Sequence, residues 1–421
     1  MKVSPRNAKK ICIITSSYLS CSPRTVKEAD ALSAAGYDVR VVFSQGNIAY
    51  VRAFDEGFLA QKLWRWSVVG WAPFIRGQWW RYYLSRVRLH ICNSMSWLWF
   101  VPGIAERAQG RMYPELCRLA AAERADLYIG HYPEGLSVAA RASARWHVPF
   151  AYDVEDLYSV EFSNDKVGRK ASARIKLLEK RYVSKAAYIS VVSSGVGKEM
   201  AARYVLPEPV VIRNVFAWSE RSLVDGKLKD KHGQGLSVYW YSQVIGEDRG
   251  IQDVIRALAL VKGEIQLHLR GYLSPSIKER FISLARECGV LQMVYFHDPV
   301  PPQELLSRTM EHDIGLAIEQ PLSLSRTLTI SNKFFYYMLA GLAVIATDTP
   351  GQADCIRQYP GVGLLYRSGD YRALAMILQG FIDDPKLLVL YKDAALDVCQ
   401  TQWNWEKESR KLCDQVATVL Q

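Results

Sequence analysis

The segment from Ser331 to Asp348, SNKFFYYMLAGLAVIATD, carries the residue pattern best suited to chemistry in this chain of 421 residues. A polar loop opens a helix, the helix ends at Gly341, and an apolar strand follows. The amino end of a helix offers free N–H groups and a positive dipole end, which suits a diphosphate. Lys333 lies in the first turn, where a cation is disfavoured unless an anion compensates it. We therefore predict an anion site at Ser331, Asn332 and Lys333, with a lysine that merely extends to solvent as the alternative.

Ionisable residues also end the predicted strands of the first half of the chain. His131 closes the strand ADLYIGH, and Asp153 and Glu155 close the strand FAYD. Ligands of α/β sheets bind outside the carboxyl ends of the strands. Pro23 and Arg24 lie where a loop enters a helix, and an arginine placed there suits a phosphate. These five residues are predicted to bind a ligand, with a buried, satisfied histidine and a surface arginine as the alternatives.

The elements that position these residues alternate between strand and helix. The alternation runs from residue 10 to about 215, becomes polar and aperiodic, and restarts at LSVYWYS. This pattern predicts an α/β fold with two Rossmann-like domains facing a cleft. Neither half has GxGxxG followed by an acidic residue, which excludes a dinucleotide dehydrogenase. We predict an N-terminal domain at 1–218, a linker at 219–235, a C-terminal domain at 236–395, and a helical tail at 396–421 that packs back on the N-terminal domain.

The composition of the chain, 49% hydrophobic and 23% charged, suits two core-forming domains and excludes disorder. The apolar run near the N-terminus, Ile11 to Ile14, is too short for a signal peptide, and no stretch reaches the length of a membrane span. The eight cysteines include no CxxC pair and no zinc-ligand spacing. We therefore predict reduced thiols, no metal site, and a cytoplasmic protein.

A basic insert rich in tryptophan is predicted at residues 61–111. Eight lysines and arginines face one acid there, a net +7 of the chain's +11, and seven of the twelve tryptophans lie in the same segment. Indole rings and cations together suit the interface of an anionic membrane. Local packing of the tryptophans is the main alternative, and single-stranded nucleic acid is a weaker one because no RNA-binding motif accompanies the segment.

The order of residues from Ser331 to Asp348 resembles the donor-site signature of retaining glycosyltransferases of the family 4 type, which have the GT-B fold. The shared features are NK, an aromatic pair, YM, a small residue before glycine, an apolar strand and an aspartate. Further pieces resemble the family in the same order along most of the chain: SPRTVKEADALSAAGYDVRVV, ADLYIGH, YDVEDLYS, RNVF, YWYSQVIGEDRGIQDVIRAL and LHLRG.

The resemblance implies transfer of a sugar from a nucleotide-sugar donor, without a cofactor or a metal ion. Arg249 and Lys333 are then the diphosphate clamps, and Glu319 lies near the donor sugar or its ribose, or is an exposed loop carboxylate. These three are the predicted catalytic residues, and Arg270 contacts the donor or pairs with a carboxylate. The predicted donor-binding residues are Ser242, Gln243, Arg249, Arg270, Gly271, Glu319, Ser331, Asn332 and Lys333.

The sequence departs from the family pattern at two places. The second of the usual two glutamates is replaced by Tyr336, and the usual glycine and basic residue after the first strand of the second domain are Ser242 and Gln243. A carboxylate that holds the donor ribose is therefore lost or supplied from elsewhere.

The resemblance assigns the acceptor to the first domain, and so to Pro23, Arg24, His131, Asp153 and Glu155. We predict a glycan or polyprenyl-linked acceptor in surface polysaccharide or glycolipid biosynthesis, with the protein at the inner face of the membrane. A non-catalytic scaffold with the same fold and a sugar-nucleotide epimerase are the alternatives.

Overall fold

The computed structural model describes residues 8–46, 48–162, 165–230 and 235–421. The chain divides into two compact units. The first contains Met1–Ile212 and Ser409–Gln421, and the second contains Arg213–Glu408.

Strands and helices of the first unit alternate along the chain. The strands are β1 (Lys10–Ile14), β2 (Asp38–Gln45), β3 (Arg65–Gly70), β4 (Leu127–His131), β5 (Phe150–Val154), β6 (Tyr188–Val191) and β7 (Val210–Val211). The helices are α1 (Pro23–Ala34), α2 (Ala49–Leu59), α3 (Trp79–Ser94), α4 (Ile104–Gln109), α5 (Tyr113–Ala120), α6 (Tyr132–Trp146), α7 (Lys166–Tyr182) and α8 (Ser194–Tyr204).

The seven strands that the described residues of this unit contain form one sheet, in the order β3-β2-β1-β4-β5-β6-β7. Every neighbouring pair is parallel. The order reverses between β1 and β4, so the loops that follow these two strands diverge there and leave room for a ligand. His131 is the last residue of β4 and therefore lies at this switch point.

The second unit repeats the same design. Its strands are β8 (Leu236–Val244), β9 (Ile265–Tyr272), β10 (Val294–His297), β11 (Ile314–Ala317), β12 (Ala343–Thr347) and β13 (Gly363–Tyr366). Its helices are α9 (Ile251–Leu258), α10 (Pro275–Glu287), α11 (Pro302–Thr309), α12 (Leu324–Leu328), α13 (Asn332–Ala340), α14 (Pro350–Gln358), α15 (Tyr371–Asp383) and α16 (Pro385–Thr401). A last helix, α17 (Trp405–Leu420), begins in this unit and continues into the segment assigned to the first.

The sheet of the second unit has the order β10-β9-β8-β11-β12-β13, again parallel, with its switch point between β8 and β11. Apolar residues of α9, α10 and α15 pack on its strands to form a core. In α9 the buried residues Ile251, Val254, Ile255 and Leu258 follow the spacing of one helix face. Such burial fixes the ends of the strands, where the site residues lie.

The predicted α/β fold with two Rossmann-like parallel sheets is confirmed. The helix that opens the signature segment runs from Asn332 to Ala340 and ends at Gly341, whose φ of 76° favours glycine. Strand β12 follows as expected.

The boundaries of the units differ from those expected. The first unit ends at Ile212 rather than 218, and the second ends at Glu408, whereas the expected boundary at 395/396 falls inside α16. A helix packs as one rigid element, so a boundary inside it is disfavoured. Within the predicted linker, residues 231–234 lie outside the described residues.

The segment 61–111 is only partly an insert, because β3 pairs with β2 along the edge of the sheet. Two of its tryptophans, Trp64 and Trp99, are buried, and the indole of Trp64 donates to Asp30 at 2.7 Å. Four others are exposed on the surface, namely Trp66, Trp79, Trp80 and Trp97. The tryptophans therefore divide between local packing and an exposed surface.

No helix in the described ranges is both long enough and apolar enough to cross a membrane.

Candidate functional site

The cations expected to bind a ligand in the second unit lie at the switch point of its sheet. Strand β8 ends with Ser242, Gln243 and Val244, and the loop after it carries Arg249. The neighbouring strand β11 is followed by Glu319, and Lys333 lies in the first turn of α13. Parallel strands end at the same edge of a sheet, which brings these distant parts of the sequence together.

Glu319 bonds residues at the beginning and near the end of the signature segment. Its Oε1 accepts from the hydroxyl of Ser331 at 2.8 Å and from Nζ of Lys333 at 3.2 Å. Burial alone would raise the pKa of Glu319, but the nearby charge of Lys333, both hydrogen bonds and the more distant Arg249 bring the pKa below its ordinary value. Glu319 is therefore ionised and holds Lys333 in place. Its backbone carbonyl also accepts from Thr347 at 2.7 Å.

Two further charged residues, which the sequence prediction did not include, extend this arrangement. Oδ1 of Asp248 lies 3.5 Å from Nε of Arg249, and its Oδ2 lies 3.6 Å from Nη1 of Arg326 in α12. We call the five residues of alternating charge the charge chain: Arg326, Asp248, Arg249, Glu319 and Lys333. The charge chain combines three cations with two carboxylates and is partly exposed, which suits an anionic ligand.

Gly271 is required by the packing of β9 on β8. Its φ of 150° and the position of its Cα place an added Cβ only 2.2 Å from the carbonyl oxygen of Ser242. Any side chain at 271 would displace the end of β8. Gln243 is exposed beside it, and Asn332 is exposed at the start of α13.

Arg270 takes the second of its two expected roles, pairing with a carboxylate. Its guanidinium bonds Asp230, the hydroxyl of Tyr239 at 3.1 Å and the carbonyl oxygen of Asp298 at 2.5 Å. Only 4% of the residue is exposed. The guanidinium therefore has little surface to offer a donor, and its bonds hold the residues before β8 against β9 and the loop after β10.

Tyr336, the residue that replaces the family's second glutamate, is part of the core. Its ring lies 4.6 Å from that of Phe216 and 5.5 Å from that of Tyr241, and 5% of the residue is exposed. An aromatic side chain in this position stabilises the packing but supplies no carboxylate for a ribose.

The charged residues expected at the rim of the first unit form a closed group, which we call the buried cluster: Arg24, Glu28, His131 and Asp153. Each is at most 1% exposed. Arg24 donates to both carboxylate oxygens of Asp153 at 2.7 Å and to the carbonyl oxygen of Ile212 at 2.9 Å. This differs from the expectation that Arg24 grips a phosphate, because its guanidinium is fully committed within the unit.

His131 completes the buried cluster. Its Nε2 lies 3.1 Å from Oε2 of Glu28, and its Nδ1 lies 3.4 Å from Oδ2 of Asp153 and 3.8 Å from Oε1 of Glu155. Burial would lower the pKa of His131, but these carboxylates raise it to about 10. Burial likewise favours a raised pKa for Asp153, but Arg24 holds it below its ordinary value.

Ligand atoms of Glu28, His131 and Asp153 lie within 4.8 Å of one another, a spacing that suits a metal ion. The guanidinium of Arg24 already contacts Asp153 at this place and lies 3.5 Å from Glu28. Two buried cations therefore balance the two carboxylates, which leaves no excess of negative charge for a metal ion to neutralise.

Two of the five expected acceptor residues have exposed atoms. Pro23 is exposed at the first position of α1, and the side chain of Glu155 is 18% exposed beside the buried cluster. Tyr132, which the sequence prediction missed, follows His131 with a φ of 63°. A positive φ is strained for tyrosine and is often found at functional sites. The hydroxyl of Tyr132 lies 3.3 Å from that of Ser22, and its ring lies 5.7 Å from that of Tyr158.

The comparison with protein families gives a match over the first unit. Residues 21–214 match the model of a glycosyl transferase 4-like domain. This segment is therefore similar to a glycosyl transferase 4-like domain. The match confirms the resemblance to glycosyltransferases of the family 4 type, and it rests on a part of the chain other than the signature segment from Ser331 to Asp348. A search of curated proteins found no match.

Solved structures are similar to the whole chain, beyond the segment that matches this family model. HepE of Anabaena, in complex with UDP, is 14% identical with a TM-score of 0.68, over 97% of this chain and 100% of that one. Sucrose-phosphate synthase of Thermosynechococcus elongatus is 15% identical with a TM-score of 0.69, over 98% and 99%. A putative UDP-N-acetylglucosamine 2-epimerase of Listeria monocytogenes is 12% identical with a TM-score of 0.57, over 97% and 96%. These likenesses show the GT-B fold.

Proposed function

We propose that this protein is a glycosyltransferase that moves a sugar from a nucleotide-sugar donor to a glycan or lipid-linked acceptor. The observation that carries the proposal is the charge chain at the switch point of the second sheet. Two carboxylates lie beside its three cations: Asp248 lies near Arg249 and Arg326, and Glu319 holds Lys333 at 3.2 Å. The fold is that of HepE, whose structures contain UDP and UDP-glucose.

The catalytic contribution of the charge chain is electrostatic. As the bond between the sugar and the diphosphate breaks, negative charge grows on the leaving group, and preorganised cations stabilise it. Arg249 and Lys333 are the proposed clamps. We propose that the reaction needs no metal ion or cofactor, since these side chains supply the positive charge.

The acceptor is proposed to bind the glycosyl transferase 4-like domain near Glu155 and Tyr132. Glu155 has a partly exposed side chain there, and a carboxylate orients an acceptor hydroxyl by accepting its proton in a hydrogen bond. We propose that the transfer retains the anomeric configuration, because the signature segment resembles that of retaining enzymes.

The decisive experiment incubates the protein with a panel of sugar nucleotides and a polyprenyl phosphate acceptor, with and without EDTA. We expect release of a nucleoside diphosphate from one donor, unchanged by EDTA, and a product whose anomeric configuration, read by NMR, matches the donor. Failure to bind or turn over any donor would overturn the proposal. An inverted product would overturn retention alone.

Two other functions each have an observation in their favour. The likeness to a putative epimerase extends over 97% of this chain, so the donor incubated without acceptor should be analysed for epimerised sugar. The burial of Tyr336 in place of a carboxylate favours a non-catalytic scaffold, which predicts that Lys333→Ala and Arg249→Ala leave function in cells unchanged.

We further propose that the protein works at the cytoplasmic inner face of an anionic membrane, in surface polysaccharide or glycolipid biosynthesis. Large apolar residues of α3 are exposed at helical spacing on one face: Trp80, Tyr83, Leu84, Val87 and Ile91, each between 42% and 56% exposed. Arg76 and Arg86 are exposed within or beside this helix. Apolar side chains flanked by arginines match the interface of an anionic bilayer better than they match water.

Liposome sedimentation tests this surface. We expect binding to vesicles containing phosphatidylglycerol, weak binding to neutral phosphatidylcholine vesicles, and loss of binding in the variant Trp80→Ser/Leu84→Ser. The control is Leu390→Ser, a leucine that is also exposed, on α16 of the other unit. Equal binding by both variants, or preferential binding of single-stranded RNA, would overturn the membrane assignment.

A further inference from the structure

The charge chain contains one cation without a family-based assignment, Arg326. It lies in the short helix α12, between β11 and α13, and its guanidinium is 3.6 Å from Asp248. Its Nη1 is buried and makes no hydrogen bond within the described residues. Nε of Arg249 is also buried and makes no hydrogen bond within the described residues. Two arginines that face one carboxylate with unused donors can take a ligand without breaking a well-made ion pair.

The net charge of the charge chain depends on Arg326. Lys333 is already paired with Glu319, and Arg249 and Arg326 share Asp248. With Arg326 the five residues carry a formal net charge of +1, and without it their charge is zero. A diphosphate carries at least two negative charges, so a neutral group of side chains would offer it little net attraction.

The end of β8 does not provide a substitute. Ser242 and Gln243 are uncharged, and Gly271 closes directly onto the backbone of Ser242. The first cation after this strand is Arg249, in the loop. A second guanidinium at this switch point therefore has to come from the segment after β11, the neighbouring strand. Helix α12 lies in that segment.

Packing holds α12 in position. The hydroxyl of Ser323 accepts from the backbone N–H of Arg326 at 3.2 Å, which caps the helix. At its other end, an added Cβ on Gly351 would lie 2.4 Å from the carbonyl oxygen of Thr329. Helix α14 thus approaches the end of α12 as closely as glycine allows, and Arg326 is carried on a fixed element rather than on a loose loop.

We propose that Arg326 is a further donor-binding residue, a third diphosphate-binding cation that Asp248 holds in place until the donor arrives. This inference rests on the proposed function. When the diphosphate binds, its oxygens replace Asp248 as the acceptor for Arg326 and Arg249. The half-exposed Asp248 then turns to solvent, at a small cost because the distances of 3.5 and 3.6 Å are long for charge-assisted hydrogen bonds.

The test compares UDP and UMP binding by calorimetry for wild type, Arg326→Ala and Arg326→Lys. We expect Arg326→Ala to weaken UDP binding about 10- to 100-fold and UMP binding less than about threefold, with Arg326→Lys in between. The matched control is Arg256→Ala, an exposed arginine 3.9 Å from Asp253 on α9, which should bind UDP as wild type does. A thermal melt shows that each variant is folded.

Three outcomes are informative. If wild type binds UDP and Arg326→Ala binds it equally well, the role of Arg326 is overturned while the proposed function stands. If UDP and UMP weaken equally, Arg326 supports the shape of the site rather than the diphosphate, and the inference is also overturned. If wild type binds none of a panel of nucleoside diphosphates, the proposed function itself fails together with this inference.

Discussion

The buried cluster of the first unit and the charge chain of the second occupy equivalent places, the switch points of two parallel sheets, but they are built differently. In the buried cluster every residue is at most 1% exposed and Arg24 bonds Asp153 twice at 2.7 Å. In the charge chain Asp248 is 49% exposed and lies 3.5 and 3.6 Å from its two arginines.

The difference in burial and net charge indicates different roles for the same types of charged residue. Two cations and two carboxylates cancel in the buried cluster, so it organises α1, β4 and β5 and leaves no charge for a ligand. The charge chain has an excess cation and unused donors, which suits an anionic ligand. A buried group whose charges cancel is typical of a structural role, whereas a partly exposed group with an excess charge is typical of a binding site.

The largest effect is expected from Asp153→Asn, which leaves Arg24 and His131 buried without their shared carboxylate. The free energy of unfolding should fall by about 3–5 kcal/mol, because an uncompensated buried charge is strongly destabilising. Chemical denaturation measures it, with the exposed Glu208→Gln as control. If both substitutions lower the free energy of unfolding equally, the buried cluster does not stabilise the fold.

Lys333→Ala should act on the reaction instead of on stability. We expect transfer to slow about 100-fold through loss of one stabilising donor, with a change of less than about 1 kcal/mol in the free energy of unfolding. Lys392→Ala is the matched control, because this lysine of the same unit lies 3.0 Å from Asp313. Equal rates in the two variants would contradict the assigned clamp.

The raised pKa of His131 predicts a pH dependence of stability. Because the pKa is about 10 in the folded protein and 6.5 ordinarily, the stabilisation is complete below pH 6.5 and is lost as pH rises toward 10. The free energy of unfolding should fall by about 3–4 kcal/mol between pH 6.5 and 9.5. His131→Gln should flatten this slope, and an unchanged slope would show that His131 is neutral in the buried cluster.

The smallest effect is expected from Glu319→Gln, since partly exposed ion pairs contribute little to stability. The free energy of unfolding at pH 7 should change by less than about 1 kcal/mol. The pKa of Glu319 lies below 4.5, so its contribution is present above that pH and is lost as the solution becomes more acidic. Wild type and variant should therefore converge once the pH falls below the lowered pKa of Glu319, and a difference that persists in acid would point to packing instead.

Much of the architecture was predictable from the sequence, because strands and helices leave local patterns. The buried apolar runs of β1, β4 and β12 and the glycine after α13 predicted both Rossmann-like units and the helix of the signature segment. Lys333 was predicted as a site residue from its place in the first turn of a helix, and Glu319 from the family resemblance. The structure brings them within 3.2 Å. Strand β3 was missed, because a short edge strand among tryptophans and arginines lacks a clear alternation.

Local patterns do not predict which charges meet. Arg24 begins a helix in the same way as a phosphate-binding arginine would, yet Asp153, 129 residues away, accepts both its bonds. Arg326 lies in a short sequence segment of ordinary composition, and nothing near it in sequence indicates that Asp248 is its neighbour. The sequence by itself determined the elements and the edges at which ligands bind, since these depend on periodicity and strand order. Only the tertiary structure decided which cations are neutralised and which are open, since that depends on the carboxylates that folding brings beside them.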